Sequence, residues 1–187
     1  MFFSAKTKRA AGAPFQPGDR DRLDFRLLES GAVALYHKKP ILESHVGWLR
    51  QEGWRIHGFD CARWDAADAM HADLQRVLGF ADHYRPTLAS LIDALPELDV
   101  PSPGGAALQL VRYDLFAQRD RALAQTLLDV IETSSRTLLL TGRKLLALAQ
   151  SDDPRLSFER VGARPVNWNP QEWLPADRGV KGAADQR

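Results

Sequence analysis

One almost uninterrupted apolar run, Leu145 to Ala149, constrains the possible folds more than any other stretch of this chain. A strand made only of apolar residues needs cover on both faces, and a parallel sheet flanked by helices provides it. A helical pattern from about Arg121 to near Thr141 precedes the run, and Gly142 is placed to end that helix. We therefore predict an α/β fold in which parallel strands are joined by right-handed helical crossovers.

Two further strands and a helix are predicted upstream of this run. Residues 54–59, WRIHGF, and residues 107–113, ALQLVRY, have the composition and spacing of strands. Between them, Asp65 is placed to cap a helix and Gly79 to end it. Together with the acidic helix described below, the predicted order is strand, helix, helix, strand, helix, strand.

Residues 23–53 are predicted to form an N-terminal extension made of a hairpin and a helix. Two short apolar runs, FRLL and AVALY, are separated by Ser30 and Gly31, which favours a β-hairpin. A helical pattern then begins at Pro40, and Gly53 is placed to end it in the left-handed conformation.

Residues 151–175 are predicted to form a C-terminal extension with one or two short strands, and Trp173 is expected to pack nearby. The residues that favour these strands are Leu156, Phe158, Val161, Val166 and Trp168. Residues 1–22 and 176–187 are predicted to be disordered tails. The first mixes basic residues with Ala, Gly and Pro, and the second is rich in Ala, Gly, Asp and Arg.

Composition excludes several classes of function. The formal net charge of +1 argues against a dedicated polyanion-binding protein, so we expect no direct contact with nucleic acid. No run approaches the ~20 apolar residues of a membrane span, and residues 1–20 lack the apolar core of a signal peptide. The lone Cys61 cannot form an internal disulfide, which predicts a reducing, cytoplasmic location.

The sequence also lacks the motifs of the common enzyme classes. The five histidines show no H-E-x-x-H spacing, and neither a phosphate-binding glycine loop nor a G-x-S-x-G elbow occurs. His57 and Cys61 are a conceivable base and nucleophile, but a small buried thiol is the simpler interpretation of Cys61. We expect a protein that is not an enzyme and that holds no metal or other cofactor.

The stretch from Leu78 to Asp99 concentrates acidic residues around a short helix. Leu88, Leu91, Ile92 and Leu95 are predicted to form its apolar stripe, and Pro96 ends the pattern. Asp93 and Glu97 fall on one face near the C-terminal end, where the helix dipole makes each acid unfavourable by ~0.3–1 kcal/mol unless a cation approaches. This placement is compatible with a solvated polar face or with the docking of a cationic partner.

The segment LGFADHYRPTLASLIDAL resembles the central motif of the barstar family, L-x-F-P-x-Y-Y-G-x-N-L-D-A-L-x-D-x-L. The family consists of small bacterial inhibitors of barnase-type ribonucleases. The positions that match without a gap are Leu78, Phe80, Tyr84, Leu88, Leu91, Asp93 and Leu95. The departures include Ala81 for the proline, His83 for the first tyrosine, Arg85 for the glycine and Ala89 for the first helix aspartate. The resemblance covers about residues 54–150.

The resemblance implies a barstar-like, three-stranded parallel sheet packed by helices, and an intracellular inhibitor of a basic microbial ribonuclease or toxin domain. The acidic helix would fill the nuclease active site in place of RNA phosphate, with Asp93 as the anchor. The alternative is a barstar-like interaction or regulatory module that has no nuclease partner. The implied partner-binding residues are Asp93, Glu97, His83, Tyr84, Asp82, Ala89 and Leu98.

Overall fold

A five-stranded parallel sheet forms the centre of the protein in the computed structural model, which describes residue 15 and residues 17–172. The strands are β1 (Val33–Tyr36), β2 (Arg55–Asp60), β3 (Ala106–Val111), β4 (Leu145–Gln150) and β5 (Asn167–Trp168). They lie side by side in the order β2-β3-β4-β1-β5, and all four pairings are parallel. The predicted α/β class with parallel strands is therefore confirmed, but the sheet has five strands rather than three.

Helices cover both faces of this sheet. They are α1 (Leu23–Glu29), α2 (Lys39–Gln51), α3 (Ala67–Leu78), α4 (Leu88–Ala94), α5 (Tyr113–Arg119) and α6 (Arg121–Leu140). The buried hydrophobic residues of α1 and α2 belong to the core on one face, and those of α3 to α6 belong to the core on the other. Every residue of β4 is buried, as the apolar run from Leu145 predicts.

The predicted hairpin between Leu23 and Tyr36 is wrong. Its first half is the helix α1, and only its second half is a strand, β1, which pairs with β4 and β5. Gly31, with a φ of +125°, connects the two elements. Helix formation here buries Asp24 against the distant Lys144. Periodicity within residues 23–29 does not reveal such a partner.

Several predicted boundaries also change. Helix α3 ends at Gly79 in the left-handed conformation as predicted, but Ala66 rather than Asp65 occupies its N-cap and no side chain caps it. The predicted strand at residues 107–113 ends at Val111, because Arg112 has a φ of +56° and turns the chain into α5, which was not predicted.

The C-terminal part adds one short strand, β5, beside β1. Leu156 and Val161 are buried in the core instead of forming a strand, and Val161 makes only an isolated bridge with Arg164. Trp173 and the predicted tail at 176–187 lie outside the described residues, as do residues 1–14 and 16 of the predicted N-terminal tail.

Among the residues that the structure describes, no helix combines the length and the apolar character needed to cross a membrane.

Candidate functional site

Helix α4 is a seven-residue helix held by its sequence at both ends. The Thr87 hydroxyl caps its start by accepting a hydrogen bond from the backbone N–H of Ser90 at 3.2 Å. Leu91 and Leu95 are fully buried and anchor one side of the segment in the core. A 3-10 turn, Leu95–Glu97, follows directly and contains Pro96. The opposite side of α4 is therefore fixed in an outward orientation.

A groove of about 430 Å³ lies between this segment and the loop that follows α3. We call it the acidic groove; it is lined by Leu78, Gly79, Phe80, Ala81, His83, Tyr84, Ser90, Asp93, Ala94, Glu97, Leu98 and Asp99. Five of the seven predicted site residues line it, namely His83, Tyr84, Asp93, Glu97 and Leu98. The other two, Asp82 and Ala89, are exposed but do not line it.

Two carboxylates of the acidic groove face solvent without compensation. The side chains of Asp93 and Glu97 are exposed, and neither makes a hydrogen bond or an ion pair with any described residue. Asp99 differs, because the guanidinium of Arg55 contacts its carboxylate at 2.9 Å and its backbone carbonyl at 2.8 Å. The charge available to a partner is thus concentrated on Asp93 and Glu97.

Tyr84 forms part of the groove wall, and His71 and Phe80 hold it in place. Its hydroxyl lies 2.6 Å from Nδ1 of His71 on α3, and its ring packs on Phe80 with the ring centroids 4.9 Å apart. Burial raises the pKa of Tyr84 to about 12 and lowers that of His71, although the charge of Asp68 acts in the opposite direction on His71. A neutral His71 therefore accepts a hydrogen bond from Tyr84. The hydroxyl of Tyr84, although Tyr84 is an implied partner-binding residue, is thus engaged by His71 of its own chain.

The neighbouring His83 is exposed at the groove, beside Tyr84 but without the inward hydrogen bond that fixes Tyr84. Its ring is accordingly open to contact from a partner that enters the groove.

Two apolar residues differ in burial from what the sequence predicts. Leu98 is only 5% exposed and belongs to the core, so it presents little surface to a partner. Ile92 is 49% exposed, although it was assigned to the buried stripe. Leu91 and Leu95 already fill the buried side of α4. Successive residues of a helix are ~100° apart around its axis, so Ile92 is displaced from that side. Ile92 is consequently an exposed apolar side chain next to Asp93. In the sequence, its angular offset from Leu91 and Leu95 is the only indication of this exposure.

The alternative catalytic pair is not assembled. Cys61 is fully buried, and burial raises the pKa of its thiol well above the ordinary value. Nδ1 of His57 lies 3.3 Å from the carbonyl oxygen of Val77. Within residues 17–172, no group of three His, Cys, Asp or Glu side chains is arranged to hold a metal ion.

Comparison with protein-family models matches the central part of the chain to a known family. The family model for Barstar, described as barnase inhibitor, matches residues 54–150, which is just over half of the 187-residue chain. The matched segment runs from the residue before β2 to the last residue of β4 and contains the acidic groove. These limits agree with the resemblance inferred from the sequence. The comparison with curated proteins finds no match.

Proposed function

Because this chain belongs to the barstar family, we propose that it inhibits a basic microbial ribonuclease by inserting its acidic α4 region into the nuclease active site. Members of this family are inhibitors rather than enzymes. The observation that carries the proposal is the exposed Asp93, whose carboxylate has no compensating cation among the described residues. A group in this state is available to a cation from outside.

The proposed mechanism is mimicry of RNA phosphate. A ribonuclease that cleaves RNA without a metal needs Arg, Lys and His side chains around the scissile phosphate. Asp93 lies in the last turn of α4, where the helix dipole is unfavourable for an acid. A partner cation removes that disadvantage and is itself neutralised. Binding therefore stabilises the charged groups of both proteins. Complementary charges also speed association, an effect for which the barnase and barstar pair is a standard example.

We assign different roles to the other groove residues. Glu97 supplies the second uncompensated carboxylate, and His83 offers an exposed ring that hydrogen-bonds a phosphate-binding group of the nuclease. Tyr84 shapes the wall, since His71 holds its hydroxyl. Asp82 adds negative charge at the rim, outside the groove lining.

Ala89 supports a second candidate function, an interaction or regulatory module without a nuclease partner. This residue is exposed at the position where the family motif has its first helix aspartate, so the site lacks one family carboxylate. Under this alternative the same groove binds another basic protein surface.

Growth rescue distinguishes the two functions. We expect co-expression of this protein in the bacterial cytoplasm to rescue cells from a barnase-type ribonuclease, and Asp93→Ala to abolish the rescue. Asp65→Ala is the matched control, because Asp65 is also an exposed acid, does not cap α3 and lies outside the groove. Rescue by the Asp93→Ala protein would remove the proposed anchor, and failure of the unaltered protein against a panel of such nucleases would favour the module.

A further inference from the structure

A second cavity, of about 310 Å³, lies at the opposite end of the sheet from β2. One side is α1, contributing Arg26 and Leu27, together with its C-cap residue Ser30. The other side is the segment 166–170, which contains β5, and β1 lies between the two. We call this cavity the β5 pocket. It is built largely from α1 and the β5 segment, both outside the segment matched by the family model.

The wall beside β5 is rigid. Asn169 is buried, and its backbone N–H donates to the carbonyl of Leu35 at 2.7 Å. The side-chain amide of Asn169 accepts from the N–H of Gln171 at 3.0 Å and donates to the hydroxyl of Tyr36 at 3.2 Å. A pocket whose wall is fixed in this way is preformed and loses little conformational entropy when a ligand enters.

A positive charge lines the β5 pocket. Among the described residues that line it, Arg26 alone is charged, and its side chain makes no hydrogen bond or ion pair within residues 17–172. The remaining lining offers the polar groups of Ser30, Asn167 and Asn169 among apolar residues.

We propose that the β5 pocket binds a small organic molecule that carries one carboxylate on an apolar chain. The carboxylate pairs with Arg26, and the chain fills the apolar part of the cavity. At roughly 30 Å³ for each water displaced, the cavity replaces about ten waters and accommodates a ligand with about ten non-hydrogen atoms. An eight-carbon fatty acid has this size.

This site is independent of the proposed inhibitor function. The acidic groove is formed by α4 and the loop after α3, on the face of the sheet opposite to α1. Binding at the β5 pocket is measured on the isolated full chain without any nuclease, so its failure leaves the inhibitor proposal untouched, and the reverse also holds.

Titration of the ¹⁵N-labelled full chain with octanoate, followed by NMR, tests the proposal. We expect saturating shifts of the amide signals of Ser30, Ala34 and Asn167 at up to about 10 mM ligand. Arg26→Gln should weaken binding about fivefold or more, because the ion pair is lost. Arg50→Gln, at an exposed arginine of α2 outside the pocket, should leave the affinity unchanged.

Two further measurements separate specific binding from general adsorption. The uncharged 1-octanol has the same chain length and should bind more weakly than octanoate to the unaltered protein. Asn167→Phe places a large side chain at an exposed strand position that lines the cavity, and should abolish the shifts while the rest of the spectrum stays unchanged. Non-saturating shifts, equal binding of octanol, or an unaffected Arg26→Gln protein would overturn the proposal.

Discussion

Position 89 gives a prediction at the scale of a single residue. Ala89 is exposed in the first turn of α4, where the helix dipole favours a carboxylate by ~0.3–1 kcal/mol, whereas Asp93 in the last turn is disfavoured. Ala89→Asp restores the first aspartate of the family motif. We expect it to leave stability unchanged or slightly higher and to tighten inhibition of a barnase-type nuclease by up to about tenfold.

A matched substitution separates the two effects of the new carboxylate. Ala67→Asp also adds an acid to an exposed first-turn position, on α3, but outside the groove lining. Thermal unfolding of both variants should give similar changes, while the inhibition constant should respond to Ala89→Asp alone. An equal inhibition constant for the two variants would show that position 89 does not face the nuclease.

At the scale of an element, one buried ion pair attaches α1 to the sheet. The Nζ of Lys144 lies 2.9 Å from Oδ2 of Asp24, and the two side chains are only 2% and 0% exposed. Burial alone would raise the pKa of Asp24, but the hydrogen bonds and charges of Arg22 and Lys144 outweigh it and lower the pKa. The pair therefore connects α1 with the start of β4, between residues far apart in the chain.

Asp24→Asn tests this connection. The substitution removes the carboxylate that pairs with the buried Lys144 and with Arg22. Removing one member of a buried ion pair typically costs ~3–5 kcal/mol, so we expect the free energy of unfolding to fall by about that amount. Asp93→Asn is the control: it neutralises an exposed, unpaired acid and should change stability by less than ~0.5 kcal/mol. Urea denaturation measures both, and equal stabilities would show that α1 is not held by this pair.

The elements also differ in how far the sequence predicts them. Helices α3 and α6 and strand β4 follow from patterns within their own residues, such as the stop at Gly79 and the all-apolar run from Leu145. The helix α1 does not follow from such a pattern. Its buried face contains Asp24, whose partner Lys144 is remote in the sequence. For the site, the sequence predicts the exposed acids, but the inward hydroxyl of Tyr84 depends on the non-local contact with His71.

At the scale of the whole molecule, the same distinction explains why the sequence does not place β1 and β5 in the central sheet, although it favours strands at both places. Strand β1 is placed between β4 and β5 by pairing with residues more than a hundred positions away, and no local periodicity encodes that choice. The sequence thus predicts the class of the fold and the family-like half, whereas the strand count depends on long-range pairing.

The whole molecule should also lose stability on mild acidification. Burial lowers the pKa of His45, His57 and His71, outweighing the smaller opposing effects of Gln171, the Val77 carbonyl and Asp68 respectively. The unfolded chain therefore binds more protons than the folded one, once the pH falls below the ordinary histidine pKa of about 6.5. The stability from these neutral histidines is present above pH ~6.5 and is lost as the pH falls through their lower folded pKa values.

Urea denaturation at a series of pH values from 7.5 to 5 checks this sign. We expect the free energy of unfolding to decrease steadily across that range, and His83→Gln, at an exposed ring, to leave the slope unchanged. A free energy of unfolding that stays constant or rises on acidification would contradict the assignment of neutral buried histidines.

The inhibition constant against a barnase-type ribonuclease is the most direct test of the central claim, that Asp93 of α4 occupies the nuclease active site. Titrating RNA cleavage with each variant, we expect Asp93→Ala to weaken inhibition by about 2 kcal/mol or more, roughly 30-fold, as for a buried interface anchor. Asp65→Ala should inhibit as well as the unaltered protein. An unchanged inhibition constant for Asp93→Ala, measured beside a folded and active Asp65→Ala control, would contradict the claim.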